Sequence, residues 1–153
     1  MSGEIKAKTK HGEISIDQLA EIQPGMAKIM QEVALRYYYA YYAAKGGNWK
    51  LAAHELNQVR TSFGVAKVTR PKFTEDLQAF ESEYLLPIFK AIQKQDWGEF
   101  RTAYREGMKG SDKYHDKTGH EYIRFVLPKD PPAHMYLGPM EKFQRNEDDG
   151  EEF

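Results

Sequence analysis

The chain predicts an all-α fold, an antiparallel four-helix bundle with a short extended segment near its C-terminal end. Three observations predict it. Four long stretches repeat apolar residues at three- and four-residue steps, the period of an amphipathic helix. Residues that start and stop helices bound these stretches. The connections between them are short, which makes consecutive helices antiparallel neighbours.

Residues 1–15 are polar and without period, and read as a flexible arm ahead of a bundle domain over residues 16–138. The first long helix is expected from about Pro24, suited to a first helical position, to Ala44, with Gly46-Gly47 as its stop. Met26, Ile29, Met30, Val33, Tyr37, Ala40, Tyr41 and Ala44 form its apolar face. Leu35, Tyr38 and Tyr42 share a second face, whose burial between two copies predicts a homodimer.

The second helix begins after Asn48, a good N-cap, and carries the seam Trp49, Ala52, Leu56, Val59, Phe63 and Ala66. The third starts near Thr74 with Leu77, Phe80, Tyr84, Ile88 and Ile92. Pro87 lies inside that pattern and is expected to kink or break it. The fourth opens on Asp96 with Glu99 three residues on, in the manner of a capping box. Phe100, Ala103, Tyr104, Gly107, Met108, Ser111, Tyr114 and His115 follow on neighbouring positions, and Gly119 is the natural C-cap. Tyr122 to Leu127 reads as extended, closed by Pro128 and Pro131-Pro132. Residues 139–153 form an acidic tail, ending NEDDGEEF, that reads as disordered.

Composition narrows the function classes. A chain of 153 residues buries roughly two-thirds of its unfolded surface as one domain. Its net charge of −1 lacks the basic footprint of a nucleic-acid binder. It has no cysteine, which removes disulfides and zinc-thiolate sites. The N-terminal residues have no apolar signal region and no run is long enough for a membrane span, so a cytoplasmic location is expected.

One short segment carries chemistry. Ser111-Asp112-Lys113-Tyr114-His115 keeps the frame of a c-type haem attachment site, Cys-x-x-Cys-His, with the histidine but neither cysteine. Asn48-Trp49-Lys50-Leu51-Ala52-Ala53-His54-Glu55-Leu56, the stretch Asp96-Trp97-Gly98-Glu99-Phe100-Arg101-Thr102-Ala103-Tyr104, and residues Ser111 to Pro128 carry a likeness as well. Over residues 18–138 the chain resembles bacterial four-helix cytochromes of the cytochrome c-prime type, and within them a set of exported c-type proteins.

The resemblance makes His115 the position of the proximal iron ligand, with Ser111 and Tyr114 where the thioether cysteines stand. Serine and tyrosine cannot add across haem vinyl groups, so no cofactor is held covalently in this way. Non-covalent haem b remains open. In the b-type four-helix cytochrome a methionine near the start of the first helix faces a histidine on the last. Met26 or Met30 then stands opposite His115, a recognised haem ligand pair, with Arg105 or Arg60 for the propionates. Such bundles often pair through their first two helices, which adds to the expectation of a dimer.

Bland readings stand beside these. Methionines at helical spacing pack cores, and the helix dipole favours a histidine at a C-terminus. Tyr114, with Tyr37 and Tyr41, has the bulk to fill a porphyrin's space. A porphyrin-free metal site at His115 needs Glu32 and His54 or Glu55 to converge on it, although His54 and Glu55 suit the edge of the seam. Catalysis has no signature: no nucleophile elbow and no phosphate loop. The expectation is a non-catalytic, haem-less bundle of the cytochrome c-prime-like type, serving as a ligand-binding or scaffold protein. The alternatives are a non-covalent haem protein for electron transfer or sensing, and an adaptor whose tail after Pro131-Pro132, with Tyr136-Leu137-Gly138-Pro139 and the acidic end, docks on another protein.

Overall fold

The computed structural model describes residues 4–145. The protein is mostly helical, with a small two-stranded sheet at its N-terminal end. Strands β1 (Lys6–Thr9) and β2 (Gly12–Ser15) precede a short α1 (Ile16–Glu21). Then follow α2 (Met26–Gly46), α3 (Trp49–Thr69), α4 (Thr74–Phe80), α5 (Leu86–Lys94) and α6 (Trp97–Lys117).

The cap residues act largely as their chemistry dictates. The Asn48 side-chain oxygen accepts the Leu51 amide at 3.1 Å, and the Asp96 carboxylate accepts the Glu99 amide at 2.8 Å. Glu99 pairs with Lys94 at 2.9 Å, so no reciprocal bond completes a capping box there. Gly47, at φ 88°, closes α2 in the left-handed region that a glycine enters without strain. Pro24 falls one residue ahead of the Gly25 cap, and α2 starts at Met26 rather than at the proline.

Pro87 neither breaks nor ends its helix. A proline ring crowds the carbonyl four residues back and offers no amide. The chain accommodates it with one π turn, Glu81–Leu85, in which the Leu86 amide bonds to the Glu81 carbonyl five residues earlier. The helix then resumes as α5 with Pro87 in its first turn.

One apolar core joins these elements. Tyr104, Phe100, Leu56, Leu85, Ile88 and Val59 are its largest fully buried apolar side chains. Helix α2 packs on α3 and α6, while the α4–α5 run also packs on α3 and α6, so each long helical run has two neighbours.

Both ends of the described span differ from expectation. The supposed loose arm contains the β1–β2 hairpin, with Lys6 opposite Ser15 and Thr9 opposite Gly12. Thr9 Oγ1 donates to the Gly12 carbonyl at 2.9 Å and accepts the His11 amide at 3.1 Å, which fixes the turn. The strands are mostly exposed, so no apolar alternation announces them. Ser15 and Gln18 form a complete capping box on α1.

At the other end, residues 123–139 have no regular secondary structure and lie as a strap against α2. Phe125, Leu127 and Leu137 pack on the core. The Tyr38 hydroxyl donates to the Asp130 carbonyl at 2.7 Å. The Tyr42 hydroxyl shares its proton between the Pro128 and Lys129 carbonyls, at 2.8 and 2.7 Å. The tyrosines expected to meet a second copy are thus covered by their own chain, and that argument for a homodimer falls away. The expected tail is also ordered in part: Met140–Lys142 form a short 3-10 turn, and Asn48 Nδ2 donates to the Tyr136 carbonyl at 3.1 Å. The acidic residues 146–153 lie outside the described residues. Among the described residues, no helix is long and apolar enough to cross a membrane.

Candidate functional site

Ser111, Tyr114 and His115 occupy the last two turns of α6, and all three are half-buried. Two small residues precede them on the buried side of that helix. A Cβ on Gly107 would collide with the Tyr37 hydroxyl, and one on Gly110 with the Tyr84 ring. Side chains from α2 and from the π turn therefore press directly on the α6 backbone just before the candidate site.

Tyr114 turns toward α4. Its ring meets Phe80 edge-on at 6.0 Å between centroids, and Phe80 in turn meets Phe63 at 5.8 Å and Tyr84 at 5.1 Å. Lys117 lies against the Tyr114 ring and pairs with Asp76 of α4, pinning the end of α6. Burial raises the Tyr114 hydroxyl above its ordinary value, assisted by Glu83.

The expected trio of Tyr114, Tyr37 and Tyr41 does not form. Tyr37 and Tyr41 belong to a separate group around Tyr104. The Tyr37 and Tyr104 rings stack at 4.1 Å, and Tyr41 lies 5.0 Å from Tyr104 and 5.3 Å from Trp97. Two aromatic groups fill the interior where the sequence suggested one.

His115 has few direct partners. Its Nδ1 is 3.5 Å from Ser111 Oγ, a contact at the limit of a hydrogen bond. Its main-chain carbonyl accepts the His120 amide at 2.8 Å as the chain turns out of the helix. Burial lowers the imidazole below its ordinary value; Asp112 opposes that, and Arg124 and His120 reinforce it. Arg124 folds back to pair with Asp116, and with Asp112 at 3.8 Å, tying the start of the strap to the end of α6.

Met26 and Met30 are partly buried against the core. Tyr37 faces Tyr104, so the antiparallel pairing of α2 with α6 carries Met30 toward the level of Ser111 to Tyr114. Gly107 and Gly110, the residues small enough to admit a flat ligand beside α6, are already met by Tyr37 and Tyr84. Of the open surface grooves among the described residues, one lies around Asn57, Arg60 and Lys67 and another around Tyr84, Pro87 and Ala103; neither is lined by Met26, Met30, Ser111, Tyr114 or His115. As arranged, the residues do not fit a haem. Arg60 lies over the Phe89 ring at 5.5 Å, and Arg105 is exposed.

The carboxylates considered for a metal are engaged elsewhere. Glu55 is buried at 1% side-chain exposure, not at the edge of the seam, and pairs with Arg36 at 3.0 Å. Arg36 also binds Glu32 at 2.8 Å. These bonds, Glu32 first and Glu55 second, raise the guanidinium further above its ordinary value. His54 is exposed. Among the described residues, no group of three or more histidine, aspartate or glutamate side chains is arranged to hold a metal ion.

Sequence reasoning gave the strap no partner inside the chain: Asp130 and His134 meet Tyr38 and Tyr39, and Tyr136, in the segment expected to dock on another protein, meets Asn48. The signal was present in the run of tyrosines off the main apolar stripe. The chain matches no family model, no curated protein and no solved structure.

Proposed function

We propose that this protein is a haem-free four-helix bundle of the cytochrome c-prime-like type that works as a non-catalytic binding scaffold. One observation carries the reading: the interior beside the last turns of α6 is filled by the chain's own aromatic side chains. Tyr84 lies against Gly110, Tyr37 against Gly107, and Tyr114 against Phe80. A haem site needs an apolar slot of several hundred cubic ångströms between helices, and these rings take up that room. Neighbouring packing of α2, α3, α4–α5 and α6 around one core supports the bundle. The retained His115 and the substituted Ser111 and Tyr114 support descent from a haem-attachment frame.

The test is a haem titration of the purified protein, read at the Soret band. The expected result is weak adsorption without saturation, unchanged in His115→Ala. A saturable band at one haem per chain that His115→Ala abolishes, with helical content intact, replaces this reading with that of a non-covalent haem protein.

A further inference from the structure

The outer face of α2 holds the strap chiefly by its main chain. Tyr38 and Tyr42 donate to the carbonyls of Asp130, Pro128 and Lys129. Tyr39 meets His134 Nε2 at 3.0 Å, the one side-chain partner in this row. The strap carries four prolines between residues 128 and 139, and Pro132 is buried. Among the described residues, no main-chain hydrogen bond joins residues 124–138 to a helix.

This arrangement has a chemical logic. Prolines fix φ, leave carbonyls free and lower the entropy lost on docking, and aromatic rows with polar tips recognise peptides of that kind. Donors aimed at carbonyls read a group present in every peptide, while Pro132, His134 and Leu137 add the side-chain part of the contact. The α2 backbone leaves room as well, since a Cβ on Gly46 would collide with the Leu137 carbonyl. Gly119, at φ 76°, supplies the bend from which the strap departs.

We propose that the Tyr38–Tyr39–Tyr42 face of α2 is a binding site for extended proline-rich peptides of a partner protein, held in the resting chain by residues 128–139 as an internal occupant. The site lies outside the haem frame of α6, so it stands or falls separately from the haem titration.

The test uses the full chain and a fluorescent peptide with the sequence of residues 127–139, read by anisotropy. In the unaltered chain the internal segment competes and capture is weak. Pro131→Ala with Pro132→Ala in the chain loosens that segment and is expected to tighten peptide capture at least tenfold. Adding Tyr38→Phe and Tyr42→Phe is expected to remove the gain, and a peptide with its prolines changed to alanine is expected not to bind. His134→Ala, which removes the strap's own side-chain bond to Tyr39 and leaves the α2 face unaltered, provides a second loosened chain should the proline variant fold poorly, with helical content checked by circular dichroism. Equal capture by the unaltered and loosened chains overturns the proposal. So does a gain that survives loss of both hydroxyls.

Discussion

Tyr37 and Tyr104 exchange hydrogen bonds: the Tyr37 hydroxyl donates to the Tyr104 carbonyl at 2.7 Å, and the Tyr104 hydroxyl donates to the Tyr37 carbonyl at 2.9 Å. Their rings stack at 4.1 Å with 12° between planes. The pair joins α2 to α6 in one register, because a shift of either helix along the other breaks both bonds together. Each hydroxyl is buried and each is satisfied, so the pair incurs no desolvation penalty for an orphaned donor.

The two bonds are expected to be coupled. Tyr37→Phe or Tyr104→Phe alone should each cost about 1 kcal/mol in urea unfolding, the net worth of one such bond. Tyr104→Ala, which also opens a cavity in the core, should cost about 3–5 kcal/mol. In the double phenylalanine variant the loss should fall short of the sum by about 0.5 kcal/mol or more, the signature of neighbours in one network. Additive losses would show two independent bonds.

The same pair sets an alkaline limit. Burial raises both hydroxyls far above the ordinary tyrosine value, and in Tyr104 the neighbouring phenols Tyr37 and Tyr41 add to the effect. A group raised in the folded state contributes stability that is complete below its unfolded value, about 10. That stability is lost as pH climbs from there toward the folded value. Absorbance at 295 nm should therefore show a fraction of the ten tyrosines ionising only together with the loss of helix. Smooth titration of all phenols in the folded state would contradict this.

His115 sets an acid limit of opposite sign. Its folded value is lowered, first by burial, so the unfolded chain binds the proton more readily. Stability from this group is complete above about 6.5 and is lost as pH falls from there toward the lower folded value. The melting temperature of His115→Gln should fall less between pH 7.5 and 5 than that of the unaltered protein. Parallel pH profiles would mean that His115 is as solvated as in the unfolded chain.

Two glycines separate helix propensity from packing. Gly64 lies exposed in α3, and a methyl group added there would meet nothing within 4 Å, so Gly64→Ala should stabilise by about 0.5–1 kcal/mol. Gly46 ends α2 beneath the strap, where the same methyl would strike the Leu137 carbonyl. Gly46→Ala should free the strap, seen as faster hydrogen exchange and proteolysis within residues 128–139 while helical content holds. Equal protection in the two variants would mean that the strap does not rest on Gly46.

The helices were legible because their seams are periodic. Ala52, Leu56, Val59, Phe63 and Ala66 fall on one buried line of α3, and Asn48 caps it as its side chain dictates. The β1–β2 hairpin was not legible, since its exposed strands have no apolar face to alternate, although Ser15 and Gln18 spell the capping box of α1. The site was legible in residues but not in contacts. The frame at Ser111 to His115 stands in the sequence, whereas the pairing of Tyr37 with Tyr104 depends on helix register, which local pattern does not encode. Tyr38 and Tyr42 were recognisable as a second contact surface; a partner within the chain and one outside it leave the same trace in sequence.

The ion pair between Arg36 and Glu55 tests how much of the α2–α3 contact is electrostatic. Glu55 is almost fully buried at 1% exposure, while Arg36 keeps 28% and a second carboxylate, Glu32, at its Nε. Removing the arginine leaves a buried carboxylate without its cation. Arg36→Met should therefore destabilise by about 2–4 kcal/mol, somewhat below the range for fully enclosed pairs because the guanidinium reaches solvent. Replacing both members by methionine should recover much of that loss, since apolar side chains of similar length suit this packed interface and no charge is stranded. Chemical denaturation of the two variants decides the matter. If the double variant is no more stable than Arg36→Met, the pair holds α2 and α3 together by attraction. If it is substantially more stable, the loss in Arg36→Met is the cost of the stranded Glu55 carboxylate, and the pair adds little that apolar packing would not.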